Sequence, residues 1–323
     1  MIIDLFAGAG GWDCAARELG LPDPIGYELD NDACNTRRAA NMPTEQVDIA
    51  TAELPGRITG LIASPPCQSF SSAGKRSGLA DERGQLVYQP LRWAKACRPD
   101  WCAWEQVPEV LPIWQTCANE LRQLGYSVWC GVLDAERYGV PQTRSRAILI
   151  AHLHRPVEPP APTHQKYVHN VPRGDPHACG LDNMFDAGVK PWVSMADALG
   201  WPDDGRELVQ GNQANACVRS LNEPSGTIAF GHNAAAHRWV FTRPATTIAT
   251  DSRVSLPGHH DPIEGHSSQY GPDPIRLTVE QAAPLQTFPA DHPWQGGKGS
   301  KHRQIGNAIP PMLAAAILRQ VVA

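Results

Sequence analysis

Short apolar runs alternate with stretches of helical periodicity over the first 150 residues. Because strands that alternate with helices are typical of parallel α/β sheets, the pattern predicts an α/β fold built on a parallel sheet. The predicted strands are Met1–Phe6, Ile25–Glu28, Leu61–Ala63, Trp101–Glu105, Ser127–Leu133 and Ala147–Ala151, and the predicted helices are Trp12–Leu19, Leu86–Ala96 and Val110–Leu124.

The pattern changes at about Leu153, where five prolines lie between residues 156 and 172. The following segment, to about Pro274, has little periodicity and is rich in Gly, Pro, Asn and His, which predicts a loop-rich second domain. Regularity returns with a predicted helix over Thr278–Gln286, with Thr278 as its N-cap, and an apolar helix over Met312–Val322.

Composition narrows the class of protein. Of the 323 residues, 42% are hydrophobic and 19% are charged, which excludes a disordered chain. A net charge of −5 is unlike that of a non-specific nucleic-acid coat, but a local basic cleft is enough for a DNA enzyme. We expect no membrane span and no signal peptide. Nine cysteines without a CxxC pair predict free thiols in a reducing cytoplasm and no metal site.

A glycine-rich turn follows the first strand in the run Asp4-Leu5-Phe6-Ala7-Gly8-Ala9-Gly10-Gly11. Glycines there allow a ligand to approach the backbone closely, and Glu28 ends the next strand, where an acidic residue can bind ribose hydroxyls. The spacing is not GxGxxG, so a dinucleotide is not favoured. Phe6 lies at the strand end, where it can stack on adenine or pack under the turn.

The run Ser64-Pro65-Pro66-Cys67 follows a short buried strand. Two prolines reduce the freedom of the loop, so the thiol of Cys67 is held at the edge of the sheet, as covalent catalysis requires. Taken alone, a cysteine is more often a small buried hydrophobe. Its context favours catalysis, because Glu105 ends a later strand at the same edge.

Two arginines occur with alternate spacing in Gln142-Thr143-Arg144-Ser145-Arg146. Alternate residues of a strand share one face, so Arg144 and Arg146 are expected to point the same way and to bind a base carbonyl or phosphates. A surface salt-bridge pair is the simpler interpretation of each arginine alone.

These motifs together resemble those of the cytosine-C5 DNA methyltransferases of prokaryotic or phage type. The resemblance extends, in family order, over nearly the whole catalytic domain. It includes Asp4–Gly11, Glu28, Asp48-Ile49, Pro65–Gln68, Glu105–Val107, Gln142–Arg146, Arg276–Val279, Leu285–Pro289 and Gln304–Pro311.

The resemblance implies a Rossmann-like catalytic domain that uses S-adenosylmethionine, formed by residues 1–152 and 276–323, with its C-terminal helices beside the first strand. Residues 153–275 would form a smaller, irregular target-recognition domain. It implies catalytic roles for Cys67, Glu105 and Arg146, with Arg144 nearby. Cofactor binding is implied for Phe6, Ala7, Gly8, Gly10, Gly11, Glu28, Leu29, Asp48, Ile49, Pro65, Leu86 and Asn307.

The resemblance also implies the reaction and its partners. Cys67 would attack carbon 6 of a flipped-out cytosine in double-stranded DNA, and carbon 5 would receive the methyl group. A monomer is expected, and a cognate restriction endonuclease is an open option. The family usually has Glu-Asn-Val where this chain has Glu105-Gln106-Val107, which keeps a non-catalytic homologue open. A tRNA cytosine-C5 methyltransferase is another alternative, and transfer of an extended donor group is a third.

Overall fold

The structure is a computed structural model that describes residues 1–66, 85–168, 189–202, 206–210, 217–228, 237–241 and 275–322. The strands of its first part are β1 (Ile2–Leu5), β2 (Ile25–Glu28), β3 (Thr44–Gln46), β4 (Gly60–Ala63), β5 (Trp101–Gln106), β6 (Ser127–Asp134), β7 (Gln142–Thr143) and β8 (Ser145–His152).

Within the described residues, seven of these strands form one sheet in the order β3-β2-β1-β4-β5-β8-β6. Strands β1 to β5 pair in parallel, as the sequence predicted, and the α/β class is confirmed. The prediction of a parallel sheet is wrong for β8, which is antiparallel to both β5 and β6. The cause is the short connection between β6 and β8, because a parallel pairing needs a crossover of a dozen or more residues.

Helices cover both faces of the sheet. The helices are α1 (Gly11–Glu18), α2 (Asn31–Ala39), α3 (Gln89–Cys97), α4 (Leu111–Gln123), α5 (Met195–Leu199), α6 (Val279–Leu285), α7 (Lys298–Asn307) and α8 (Pro311–Val322). One face of the sheet packs α3 and α4 against alternate residues of β1 and β4, including Leu5 and Leu61, and the other face packs α1 and α8 against Ile2 and Ile62.

The last helix, α8, packs against α1 and shares a buried cluster with Ile2 of β1. Thr278 is the N-cap of α6 and forms a capping box with Gln281. Among the described residues, the stretch Lys298–Val322 is long and apolar enough to span a membrane by length and composition alone. It consists of α7 and α8, and 67% of its most apolar window is buried inside the protein, which is typical of core helices.

A second sheet lies in the later part of the chain. Its strands belong to the set β9 (Arg206–Gln210), β10 (Cys217–Ser220), β11 (Ser225–Gly226), β12 (His237–Phe241) and β13 (Ile275–Arg276). They are in the order β10-β9-β12-β13, and the separate strand β11 pairs in parallel with β7 of the first part of the chain. Residues of the middle segment, such as Leu208 and Leu221, share a buried cluster with Leu285 and Ile305 from the C-terminal part.

A proline-rich stretch over residues 156–162 connects the two halves. It begins beside the start of the edge strand β6, where the Val157 amide donates to Ser127 Oγ at 3.1 Å. It ends beyond the other end of β6, where the Thr163 amide donates to the Arg137 carbonyl at 2.9 Å. The stretch therefore runs the length of β6 in the same direction.

The short helix Ala135–Tyr138 after β6 buries a carboxyl group. Glu136 is 4% exposed, and its Oε2 atom has no hydrogen-bond partner within the described ranges. Burial raises the pKa of Glu136 from about 4.5 to about 7, with a smaller contribution from Asp134. Glu136 therefore binds its proton more tightly in the folded chain than in the unfolded chain.

This shift predicts a pH-dependent loss of stability. The unfolded chain loses the Glu136 proton first, so its free energy of unfolding falls as pH rises from about 4.5 to about 7 and then levels off. Glu136→Gln mimics the neutral acid, so we expect it to raise the free energy of unfolding by up to about 3 kcal/mol at pH 8 relative to pH 4.5. Urea denaturation at both pH values measures this, with Glu53→Gln, at an exposed glutamate, as control. An equal effect of Glu136→Gln at both pH values would contradict it.

Candidate active site

The turn between β1 and α1 is built from left-handed residues at alternate positions. Phe6, Gly8 and Gly10 have φ values of 59°, 53° and 92°. A non-glycine residue in this region costs free energy, so Phe6 is held there by its surroundings. The turn is also held from β2, because the Ala7 amide donates to the Tyr27 carbonyl at 3.2 Å.

The glycines of this turn serve different needs. A Cβ added at Gly8 would meet no atom within 4 Å, so space is open on that side of the turn. A Cβ added at Gly11 would lie 2.4 Å from the backbone carbonyl oxygen of Ile309. Gly11 is therefore required by the close approach of the C-terminal segment, whereas Gly8 leaves room for a ligand.

Glu28 is held at the carboxyl end of β2 by backbone amides. Its Oε2 atom accepts from the Gly8 amide at 2.8 Å, and its Oε1 atom accepts from Leu29 and Asp30, each at 2.8 Å. The Leu29 side chain beside it is 64% exposed. An oriented carboxylate next to an exposed apolar side chain suits a ligand that carries both hydroxyl groups and a flat ring.

The structure brings the sequence-predicted cofactor residues to the same end of the sheet. Ile49 is buried, Phe6 packs against the same apolar cluster, and Leu86 is half-buried at the start of a short helix, Leu86–Tyr88. Asp48 and Asn307 are exposed, Asn307 as the last residue of α7. The predicted helix over Leu86–Ala96 is in fact this short helix followed by α3, which has Pro90 in its first turn.

A buried ion pair under the glycine turn was not predicted from the sequence. Asp13 and Arg37 are fully buried and form a two-pronged contact at 2.7 and 2.8 Å. A Cβ at Gly26 would lie 2.1 Å from the Arg37 guanidinium, so glycine on β2 makes room for it. Burial, with Asp13 second, raises the pKa of nearby Asp4 well above its usual range. Charged residues in helices are expected at the protein surface, so the sequence contains no indication that Asp13 and Arg37 form a buried pair.

The predicted nucleophile, Cys67, lies outside the described residues. The segment that leads to it is described and is held on both sides. Ser64 Oγ accepts from Trp12 Nε1 at 3.0 Å, and the carbonyl of the buried Pro65 accepts from Gln106 Nε2. The other amide atom of Gln106, Oε1, accepts from the Val107 amide. Gln106 thus links the proline segment to the end of β5.

Glu105 and Arg146 form an ion pair at this edge. Arg146 Nε lies 2.7 Å from Glu105 Oε1, and the two side chains are only 11% and 5% exposed. The antiparallel register of β5 and β8 causes this, because it sets the end of β5 beside the start of β8. The pair can present one acid and one cation to the same bound ring.

Arg144 does not share a strand face with Arg146, so that expectation is wrong. Arg144 lies between β7 and β8, where the alternation of a regular strand does not apply. Its guanidinium is buried and donates to the carbonyls of Ile228, Gly306 and Ala308 at 3.1–3.3 Å. Arg144 therefore connects the residues on both sides of Asn307 to the segment between β7 and β8.

Two buried glutamines extend this contact and were also missed as site residues. Gln142 Nε2 donates to Gln286 Oε1 at 2.6 Å, and Gln286 Nε2 donates to the Ala308 carbonyl at 2.6 Å. Gln142 Oε1 also accepts from the Ile228 amide at 2.8 Å. In the described part of the chain, no cluster of three or more His, Cys, Asp or Glu residues could hold a metal ion.

The structural comparison first defines the class of fold. The Dnmt2 methyltransferase of S. pombe superposes with a TM-score of 0.63 over 98% of this chain and 96% of its own, at 15% identity. The architecture is therefore that of a Rossmann-like methyltransferase, as predicted.

The sequence comparisons then define the family. A family model for C-5 cytosine-specific DNA methylases matches residues 1–323. The type II methyltransferase M1.HphI of Haemophilus parahaemolyticus is 29% identical, over 99% of this chain and 86% of its own length. M.Eco47II of Escherichia coli is also 29% identical, over 99% and 78%. The chain belongs to the C-5 cytosine-specific DNA methylase family, and the predicted DNA cytosine-5-methyltransferase activity is confirmed.

The three carbonyl contacts of Arg144 predict that a substitution that keeps its positive charge will still lower the stability of the protein. Lysine keeps the charge but cannot reach three carbonyl groups with one ammonium, so Arg144→Lys should lower the free energy of unfolding by about 2–4 kcal/mol. Urea denaturation measures this. The control is Arg122→Lys on the exposed face of α4, where we expect a change within about 0.5 kcal/mol. A change at Arg144 as small as that of the control would show that these contacts contribute little.

Proposed function

We propose that this protein transfers a methyl group from S-adenosylmethionine to carbon 5 of a cytosine in a specific duplex DNA sequence, with Cys67 as the nucleophile. The observation that carries the proposal is the buried Glu105–Arg146 pair at the sheet edge to which Pro65 and Pro66 lead.

The described residues fit S-adenosylmethionine. Open space beside Gly8, the oriented Glu28 carboxylate and the exposed Leu29 would hold the ribose and adenine, with Phe6 and Ile49 on the apolar side. Asn307 would complete the site from α7. When bound, S-adenosylmethionine supplies the methyl group that carbon 5 accepts. The assigned contacts are Phe6, Ala7, Gly8, Gly10, Gly11, Glu28, Leu29, Asp48, Ile49, Pro65, Leu86 and Asn307.

Cys67 would activate a ring that is otherwise a poor nucleophile. Its thiolate forms a bond to carbon 6, and the electron pair of the C5–C6 double bond moves into the ring. In the complex with the base, Glu105 would carry a proton and donate it to N3 as negative charge develops there, while Arg146, released from its ion pair with Glu105, would donate to O2. Methyl transfer to carbon 5 leaves S-adenosylhomocysteine. Water then takes the C5 proton as the bond from sulfur to carbon 6 breaks, which restores the double bond, and N3 returns its proton to Glu105.

Gln106 would take over the role of the asparagine that the family usually has at this position, because it makes the hydrogen bonds that hold the nucleophile segment. Its amide bridges the Pro65 carbonyl and the Val107 amide, so the longer side chain still anchors the segment that carries Cys67. This favours a catalytic protein over a non-catalytic homologue. Arg144 would act on the site through the backbone beside Asn307 rather than on the base.

Residues 153–275 would recognise the DNA target. A cytosine in a duplex has to be flipped out before Cys67 can reach it, which costs a few kcal/mol that contacts to DNA must offset. Strand β11 of this segment pairs in parallel with β7 of the proposed catalytic domain. We further propose a cytoplasmic monomer, and a cognate restriction endonuclease as partner, since the relatives above are named type II methyltransferases.

The deciding experiment measures 5-methylcytosine by mass spectrometry of nucleosides from unmethylated DNA incubated with the protein and S-adenosylmethionine. We expect product with the wild type and none with Cys67→Ser, because serine is a far weaker nucleophile. Cys217→Ser, at an exposed cysteine of β10, is the matched control and should remain active. Product from tRNA but not from DNA would overturn the proposed substrate, and full activity of Cys67→Ser would overturn the mechanism.

The contacts of Gln106 yield a second prediction. In Gln106→Glu the carboxylate can still accept from Val107 but can no longer donate to the Pro65 carbonyl. We expect kcat at pH 8 to fall about 10- to 100-fold because the nucleophile segment loses its anchor, with the Kd for S-adenosylmethionine unchanged. Gln106→Asn keeps the donor, so its kcat should lie between those of the wild type and Gln106→Glu. The control is Gln123→Glu, at an exposed glutamine of α4. A glutamate variant as fast as the wild type would rule out this role of Gln106.

A further inference from the structure

A buried histidine lies behind the glycine turn. His292, in the loop between α6 and α7, is 8% exposed and packs against two aromatic rings. Its ring centroid lies 4.9 Å from that of Phe288 and 4.5 Å from that of Trp294. None of the motifs singled out in the sequence includes this residue, and the mechanism above does not use it.

The contacts of His292 determine its tautomer. Nε2 lies 3.1 Å from the Ala9 carbonyl oxygen, which can only accept, so Nε2 carries the proton. Nδ1 then has the free lone pair, and it faces Cys14 Sγ at 4.0 Å. Burial lowers the pKa of His292 to about 4 and raises that of Cys14 to about 12. Both groups are therefore neutral at physiological pH, and the imidazole keeps its Nε2 proton.

This hydrogen bond acts on one peptide plane of the turn. The plane between Ala9 and Gly10 is held on one side by His292, at the Ala9 carbonyl. It is held on the other side by the Gly10 amide, which donates to the Ala7 carbonyl at 3.2 Å. The left-handed conformation of Gly10 depends on the orientation of this plane, and Ala9 is fully buried.

We infer that His292 is a positioning residue for the cofactor: the hydrogen bond from Nε2 to the Ala9 carbonyl sets the turn that receives S-adenosylmethionine. The inference rests on the proposed function, because it assumes that the turn binds this cofactor. A positioning role predicts weaker cofactor binding without a change in the chemistry at Cys67 or in the binding of DNA.

The test compares two replacements that fill similar space. His292→Phe keeps an aromatic ring in the cluster and removes the donor, whereas His292→Gln offers an amide donor near the position of Nε2. We expect the Kd for S-adenosylmethionine, by isothermal titration calorimetry, to rise about three- to tenfold in His292→Phe, as the loss of one hydrogen bond produces. His292→Gln should restore most of the affinity for S-adenosylmethionine. In both variants kcat at saturating cofactor and KM for DNA should stay within about twofold of the wild type.

Trp294→Phe is the control for packing, since it changes the same aromatic cluster and leaves the Ala9 contact in place. Wild-type affinity in His292→Phe, or an equal loss in all three variants, would overturn the role of His292. A loss confined to His292→Phe supports it. If the wild-type protein itself does not bind S-adenosylmethionine, the proposed function fails as well, which separates the two failures.

Discussion

The structure depends on one close approach between the two ends of the chain. The Ile309 carbonyl lies where a side chain at Gly11 would start, so the first helix and the last segment are in backbone contact. Through this contact α8 packs beside α1 and completes one face of the sheet. Asn307, two residues before Ile309, is thereby brought near the glycine turn. The proposed cofactor site therefore draws on residues about 300 positions apart, and such non-local contacts slow folding relative to local ones.

Buried charged residues hold the backbone around the candidate site in place and do not face the bound ligands themselves. Arg37 is paired with Asp13, and Arg144 donates to three backbone carbonyls. Removing one partner of such a contact leaves a group without its hydrogen bond, which costs more than the contact contributes while it is intact. Arg144 and Arg146 are two residues apart, yet one supports backbone and the other faces the candidate catalytic carboxylate of Glu105.

The helices and strands that the sequence predicted well are those whose apolar residues are buried in the core. Strand Ile25–Glu28 agrees to the residue, and Thr278 is the predicted N-cap. Helices α2 and α7 were missed because both are polar, and their contacts are hydrogen bonds such as that from Thr36 Oγ1 to Gln304 Oε1 at 2.7 Å. The role of Arg144 could not be predicted, because its partners are backbone carbonyls that no side-chain pattern reveals. The candidate catalytic pair could be predicted from the sequence, because the strand ends at one edge of the sheet bring Glu105 and Arg146 together.

The proline-rich stretch beside β6 has a consequence for the behaviour of the protein at high concentration. An edge strand offers a row of free amide and carbonyl groups that another chain can extend into a larger sheet. Residues 156–162 run alongside this edge, and four of the seven are prolines, which have no amide hydrogen to donate. The neighbour of β6 is thus a segment that cannot serve as the next strand. The connection between the two halves of the molecule thereby also guards against self-association into extended sheets.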